Sequence, residues 1–288
     1  MAISRVVYTD SGVQVTHSTV NSGSAIDILT AQNATFTVNV PRENVNGIGF
    51  SGPLDRPQLD AAEGTIEWTM VPQTSASASA TDWTGANVDA HIDNTKGSAP
   101  TGGNVKAEGI GEIENAIMGS LSCESTVGAL ASMTCSFTGI PLTAIPSAAG
   151  TTQASAFALT LVESQHITES QLTGSGAGEF SQACAQSLSV AWDMPVVNVV
   201  CLGLDPTVSA NVTPFSNPPG TASITVEGLS SSLAYNTGAS NYTATIGDFA
   251  FTLDAGRIDS QTNSVAVGEV FSTFNYVIGG TADGFNCA

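Results

Sequence analysis

The chain carries one β-rich pattern twice, and this duplication constrains its architecture more than any other feature. Ala31–Gly49 (AQNATFTVNVPRENVNGIG) and Ala185–Gly203 (AQSLSVAWDMPVVNVVCLG) align without a gap at an offset of 154 residues. Ala31, Gln32, Pro41, Asn44, Val45 and Gly49 fall on Ala185, Gln186, Pro195, Asn198, Val199 and Gly203. A second gapless match sets Val127–Gly139 on Val267–Gly279 at an offset of 140, pairing Val127, Gly128, Ser132 and Gly139 with Val267, Gly268, Ser272 and Gly279. The offset falls by 14 between the two matches, so the first copy holds extra residues in its middle. Internal repetition of this kind decides architecture before any local reading does. Two similar units in one chain point to an assembly in which each chain fills two equivalent places.

The expected division is a first β-domain over 1–140, with a long insertion near 73–111, a linker over 141–152, and a second β-domain over 153–288. Each half is close to the usual domain size and large enough to bury a core. Thr35–Val40 and Thr65–Met70 alternate apolar and polar residues as half-buried strands do. Phe36, Val38 and Val40 point one way, and Thr35, Thr37 and Asn39 the other. Ala156–Val162, Leu188–Trp192, Ala222–Val226, Phe249–Leu253 and Val270–Val277 also read as strands, punctuated by Gly, Pro, Asn and Ser clusters such as Asn217–Gly220. Gly111–Leu121 could be an amphipathic turn or two, but its counterpart Asp254–Thr262 is poor helix material, which favours a strand over Ala116–Cys123. Gln73–Gly111, rich in Ser, Ala, Thr and Gly, reads as a surface loop or hairpin arm anchored by Trp83, expected to bridge assembled layers or decorate the exterior. The fold class is therefore all-β, with at most one or two short helices, as two tandem β-sandwich or barrel domains.

Charged residues make up only 11% of the chain, and its formal net charge is −19. Both copies share the acidity, and no stretch forms a basic footprint, which excludes tight phosphate binding. No Asp, Glu, Lys or Arg occurs from Ser125 through Val162, an interval suited to burial against a neighbouring unit or chain. The start, MAISRVVYTDSGVQ, lacks an apolar run of signal-peptide length, and no window reaches bilayer-spanning length, so a soluble cytoplasmic product with no membrane partner is expected.

No catalytic, cofactor-binding or metal residues emerge. His17, His91 and His166 read as surface or half-buried residues, since none accompanies an activated nucleophile. Gly174–Gly178 (GSGAG) is a flexible turn and not a nucleophile elbow. Asp89 and Asp93 flank His91 without the acid spacing of a calcium loop. Glu112 and Glu114 would share one side of a strand, as acidic surface decoration. Cys123, Cys135, Cys184, Cys201 and Cys287 are odd in number and lack a CxxC pair. A Cys123–Cys135 bridge is conceivable within one hairpin, while Cys201, in the apolar run Val196–Leu204, reads as a small core residue. Trp68 and Trp192 fall in strand patterns and read as packing residues. Asn33, Asn211 and Asn241 open glycosylation-type triplets that arise by chance in so Ser/Thr-rich a chain. The chain is not expected to be an enzyme, and no cofactor is implied.

Thr35–Pro57 (TFTVNVPRENVNGIGFSGPLDRP) runs from a strand through a Pro-Arg-Glu corner into a Gly/Pro loop, Thr65–Met70 supplies a following strand, and Ala116–Gly139 reads as a closing hairpin with a Val-Gly turn. This series resembles the tail tube proteins of long-tailed, siphovirus-like viruses of bacteria and archaea, and Asn263–Gly279 repeats its closing strand. At the corner the second copy has Val196 and Val197 in place of Arg42 and Glu43. The resemblance implies β-sandwich units that join sheets around a ring, six units to a ring, stacked into a tube. Two fused units would then make trimeric, pseudo-hexameric rings, and three chains of −19 would give −57 per ring. It implies a structural virion protein of the tail, made in the host cytoplasm, that conducts viral DNA at ejection without specific binding. Implied partners are further copies of itself, a tape measure protein, and tail terminator and baseplate proteins. Left open are another virion β-protein (decoration, spike or fibre) and an extracellular carbohydrate-binding or adhesive sandwich.

Overall fold

A computed structural model describes residues 12–28, 31–46, 53–55, 57–58, 60–72, 83–142, 172–174, 184–205, 211–216, 219–230, 238–265 and 272–288. The first half contains β1 (Val13–Thr16), β2 (Ile26–Ile28), β3 (Ala31–Asn39), β4 (Val45–Asn46), β5 (Pro53–Asp55), β6 (Glu63–Met70), α1 (Gly85–Lys96), β7 (Gly103–Ala107), β8 (Gly111–Thr126) and β9 (Ser132–Pro141). The second contains β10 (Leu172–Gly174), β11 (Cys184–Asp193), β12 (Val196–Val200), β13 (Val212–Ser216), β14 (Thr221–Ser230), β15 (Ser240–Ile246), β16 (Phe249–Ser264), β17 (Ser272–Thr281) and β18 (Phe285–Cys287). The fold is all-β with one α-helix among the described residues. The expected strand at Ala156–Val162, most of the 141–152 linker and His166 lie outside the described residues.

The two halves share one topology. In the first, β3 pairs with β6, β6 with β9, β9 with β8, β8 with β7 and β7 with β1, all antiparallel. In the second, β11 pairs with β14, β14 with β17, β17 with β16, β16 with β15 and β15 with β10 in the same sequence. The irregularities repeat as well. Register shifts fall at Gln32 in β3 and Gln186 in β11, and at Gly119 in β8 and Asp259 in β16. Bulges are inherited features of a strand pair, so their coincidence marks equivalent positions.

These markers adjust the closing-strand match by one residue. The inward residues of β9 include Met133, Cys135 and Phe137, and those of β17 are Phe274, Tyr276 and Ile278. They correspond at an offset of 141, so Gly139 falls on Gly280 and not on Gly279. A match at 140 would turn every core side chain of β17 to the other face, which the period of two forbids.

The middle of the first half differs most from expectation. Gly85–Lys96 is not an exterior arm but a helix packed into the core, with Val88, His91, Ile92 and Thr95 buried. Thr84 caps it by accepting the Asn87 N–H, which satisfies one of the donors a helix start leaves open. Trp83 stacks edge-on to Trp68, with ring centroids 5.6 Å apart, and Trp68 lies flat on Phe137 at 5.2 Å. Glycine and serine around the helix hide this in the sequence, because packing and not propensity makes it helical. Gly103–Ala107 is a further strand of the shared topology, and no helix precedes Ala116 within β8.

One continuous cluster of buried side chains runs through both halves, from Val13 and Ile26 through Trp68 and Trp192 to Phe251 and Phe285. The helix holds the far end of the chain in it. Lys96 Nζ donates to the Phe285 carbonyl and to Asn286 Oδ1 (3.0 Å), and the Cys287 N–H donates to Asp89 Oδ1 at 2.7 Å.

Candidate self-assembly interface

The opening strand of the second half docks on the long strand of the first. Ser187–Asp193 of β11 pair antiparallel with Ser120–Thr126 of β8, in the register Val190 to Cys123 and Asp193 to Ser120. Both halves thus belong to one sheet. The Met194 N–H donates to the Gly119 carbonyl at 2.8 Å, and the Val127 N–H to the Gln186 carbonyl at 2.9 Å.

Beyond β11 the chain turns at Pro195 and lays the β12–β13 hairpin across β8 and β9. Asn198 Nδ2 donates to the Gly139 carbonyl at 3.1 Å. Gly119 lies under Val196, and a Cβ there would stand 3.5 Å from a Val196 methyl. Val212 and Val200 close the contact against Ala61 and Ile140. The outer face of this hairpin carries exposed Val197, Val199 and Phe215, the last directly opposite Val197.

The counterparts of β11 and β8 are β3 and β16, and among the described residues each leaves this edge unpaired. β3 pairs only with β6; Ser260–Ser264 of β16 pair with β17 on one side alone. Cover is missing with the partner. Leu188, Val190 and Trp192 are buried, whereas their counterparts Ala34 and Phe36 are half-buried and Val38 is 45% exposed. Leu121, Cys123 and Ser125 are buried, whereas their counterparts are half-buried Gln261, exposed Asn263 and Val265, 70% exposed. β3 has nine residues with no charge and no proline. An edge that long and that plain is a template for another chain unless something pairs with it.

The described residues weighed for chemistry sit elsewhere. His17 and His91, expected at or near the surface, are each 1% exposed. Their rings meet edge to face at 5.4 Å, and His91 stacks on Trp83 at 5.4 Å. His17 donates from Nε2 to the Thr101 carbonyl (2.7 Å) and accepts at Nδ1 from the Thr19 N–H (3.3 Å). Burial, and secondarily the neighbouring His17, lowers the His91 pKa to about 3. Asp89 and Asp93 lie on α1, where Asp89 holds the Cys287 amide and Asp93 sits 3.4 Å from Lys96. Glu112 and Glu114 are half-buried on β8, with Glu112 opposite Lys106. No described group of His, Cys, Asp and Glu could hold a metal ion.

Cys123 and Cys135 are buried and free, so the conceivable bridge is not formed, and Cys287 is likewise free and buried. Cys201 is exposed and not a core residue. It follows β12 at the free end of the hairpin, where the apolar run has left the sheet. Trp68 and Trp192 are buried as expected, and Trp192 Nε1 donates to the Ala282 carbonyl at 3.2 Å.

No side-chain motif marks the interface residues in the sequence, because strand edges present only backbone N–H and C=O groups. Their signal was the Ala31–Gly49 match itself, which spans the docking strand and the corner after it. No protein-family model matches the chain, and no curated protein sequence matches it.

Proposed function

We propose that this protein is a structural subunit that joins its sheet edge to edge with further copies and closes into a ring, as the tube subunit of a virus tail. The observation that carries the reading is the β8–β11 junction. It joins two equivalent units head to tail inside one chain, and among the described residues the equivalent edges of β3 and of Ser260–Ser264 in β16 have no strand partner. Repeating it places β3 of one copy on β16 of the next, with Ala34 opposite Val265, Phe36 opposite Asn263 and Asn39 opposite Ser260.

Such a contact is heterologous, because the two surfaces differ, and a heterologous contact produces a closed ring or an open filament. Three chains, six units and stacking into a tube are taken from the family resemblance. The acidity suits a DNA conduit: an inner wall without cationic footholds forms no phosphate contacts to retard transit. In this reading the partners are copies of the same chain, tail-completing proteins and DNA in passage, and the protein is not an enzyme.

Electron microscopy of the concentrated protein, with sedimentation to give the copy number, tests the proposal. Annular particles of three chains with a bore, alone or stacked, are expected. A chain that stays monomeric at high concentration rules the reading out, and an open filament retains the edge contact but removes the conduit.

A further inference from the structure

The junction within the chain also shows what the corner after each docking strand does, and the two copies differ there in a correlated way. The segment Met194–Asn198 seats on the neighbouring unit at two points: Val196 over the bulge residue Gly119, and Asn198 on the Gly139 carbonyl. By the equivalences already drawn, Met194, Val196 and Asn198 correspond to Val40, Arg42 and Asn44, while Gly119 and Gly139 correspond to Asp259 and Gly280. The hairpins match as well, since the bridge of Arg42 to Gln58 is the counterpart of the Val196–Ser216 pair.

The second half has an open slot at this place. A cavity of about 210 Å³ is lined by Asp193, Thr221, Asp259, Gly279 and Gly280, among others. In the first half the positions of Asp193, Asp259 and Thr221 hold Asn39, Gly119 and Glu63. The open slot therefore carries one more acid than the filled one, and an acid at the bulge itself, where the filled slot has no side chain. The corner that would enter it carries Arg42, one of only six Lys and Arg residues in the chain, where the corner filling the other slot carries Val196. Where the filled slot has a valine over a glycine, the equivalent residues of the open slot and its corner are an aspartate and an arginine.

We infer that Arg42 of one copy docks on Asp259 of the next, with Asp193 at the far end of the same slot, while Asn44 donates to the Gly280 carbonyl and the Val40 N–H to the Asp259 carbonyl. This rests on the ring reading and deepens it by naming the contact between chains. It also gives the assembly a sorting rule. The apolar corner at Val196 fits the glycine bulge within a chain, and the cationic corner at Arg42 fits the acidic bulge between chains, because a valine seated on Asp259 would desolvate its carboxylate with no cation beside it.

The test compares the wild-type chain with Arg42→Glu, Asp259→Arg and the double variant, reading copy number by mass photometry and fold by circular dichroism. Arg42 and Asp259 are exposed, so the single chain is expected to fold in every case. Each single exchange should raise the concentration needed for assembly by about tenfold or more, and the double exchange should restore it. If the wild type assembles and Arg42→Glu assembles equally well, the Arg42–Asp259 contact is overturned while the ring reading stands. The same holds if both single variants fail and the double variant does not recover. A monomeric wild type overturns both.

Discussion

Asn115 and Ala255 hold the same left-handed backbone at the same place in the two long strands, with φ of 51° and 53°. They are equivalent at the offset of 140 that relates β8 to β16, four residues before the paired bulges at Gly119 and Asp259. Such a conformation is costly for any residue with a Cβ, and less so for Asn than for Ala. Ala255 is exposed, so its side chain adds little packing. Ala255→Gly should therefore raise stability by about 0.5–1 kcal/mol and Ala255→Val lower it, as read by urea denaturation. Asn115→Gly should change it less.

Acid should loosen the protein through His91. Its pKa is about 3 in the folded chain, lowered mainly by burial, against 6.5 for the exposed group. The folded state thus holds a neutral ring that the unfolded chain would protonate. The stability contribution is whole above pH 6.5 and declines as pH falls from there towards 3. At pH 5 the loss is about 2 kcal/mol. Denaturant midpoints at pH 7.5 and 5.0 check this, and His91→Phe should flatten that part of the profile.

Lys96 fastens the end of the second half to the helix of the first. Replacing it with Met leaves the Phe285 carbonyl and Asn286 without their donor while keeping the aliphatic stem. Hydrogen exchange at Phe285–Cys287 should quicken, with a global cost of about 1–2 kcal/mol. Unchanged exchange there would mean that Asp89 holds the strand alone.

Thiol reagents should distinguish the cysteines. Burial pushes the Cys123, Cys135 and Cys287 thiols well above their ordinary range, and none is reachable from solvent. Exposed Cys201 should react with a chromogenic disulfide in the native protein, and the three buried thiols only after denaturation. A Cys184→Ala background keeps the count simple.

If rings stack, salt should favour stacking. Each chain brings −19, and the Debye length shortens from about 30 Å at 0.01 M to about 8 Å at 0.15 M. Light scattering should show longer assemblies as sodium chloride rises across that range. The reverse trend would mean that local ion pairs dominate over bulk repulsion.

Much of the β architecture was legible in the chain itself. Alternation places β3, β6, β11, β14 and β17 because a strand between core and solvent must repeat with a period of two. The Ala31–Gly49 match, with its shared Gln32 and Gln186, located the repeated docking strand because equivalent bulges conserve local spacing. Less visible were the features that depend on distant partners. His17 and His91 look like surface residues until Trp83, Phe137 and the helix enclose them. The one-residue adjustment that brings Gly139 onto Gly280 appears only when inward faces are compared.

Local pattern by itself determined that the chain is built of strands, that a unit occurs twice, and that its surface is acidic and poor in cations. Those properties reside in residue order and composition. Tertiary structure alone decided that β11 docks on β8, that Gly85–Lys96 becomes a buried helix, and that Asp193 and Asp259 line one slot while Arg42 occupies the matching corner elsewhere. Backbone edges offer the same N–H and C=O groups whatever the side chains, so which edge meets which is settled by the shapes and charges that folding brings beside them.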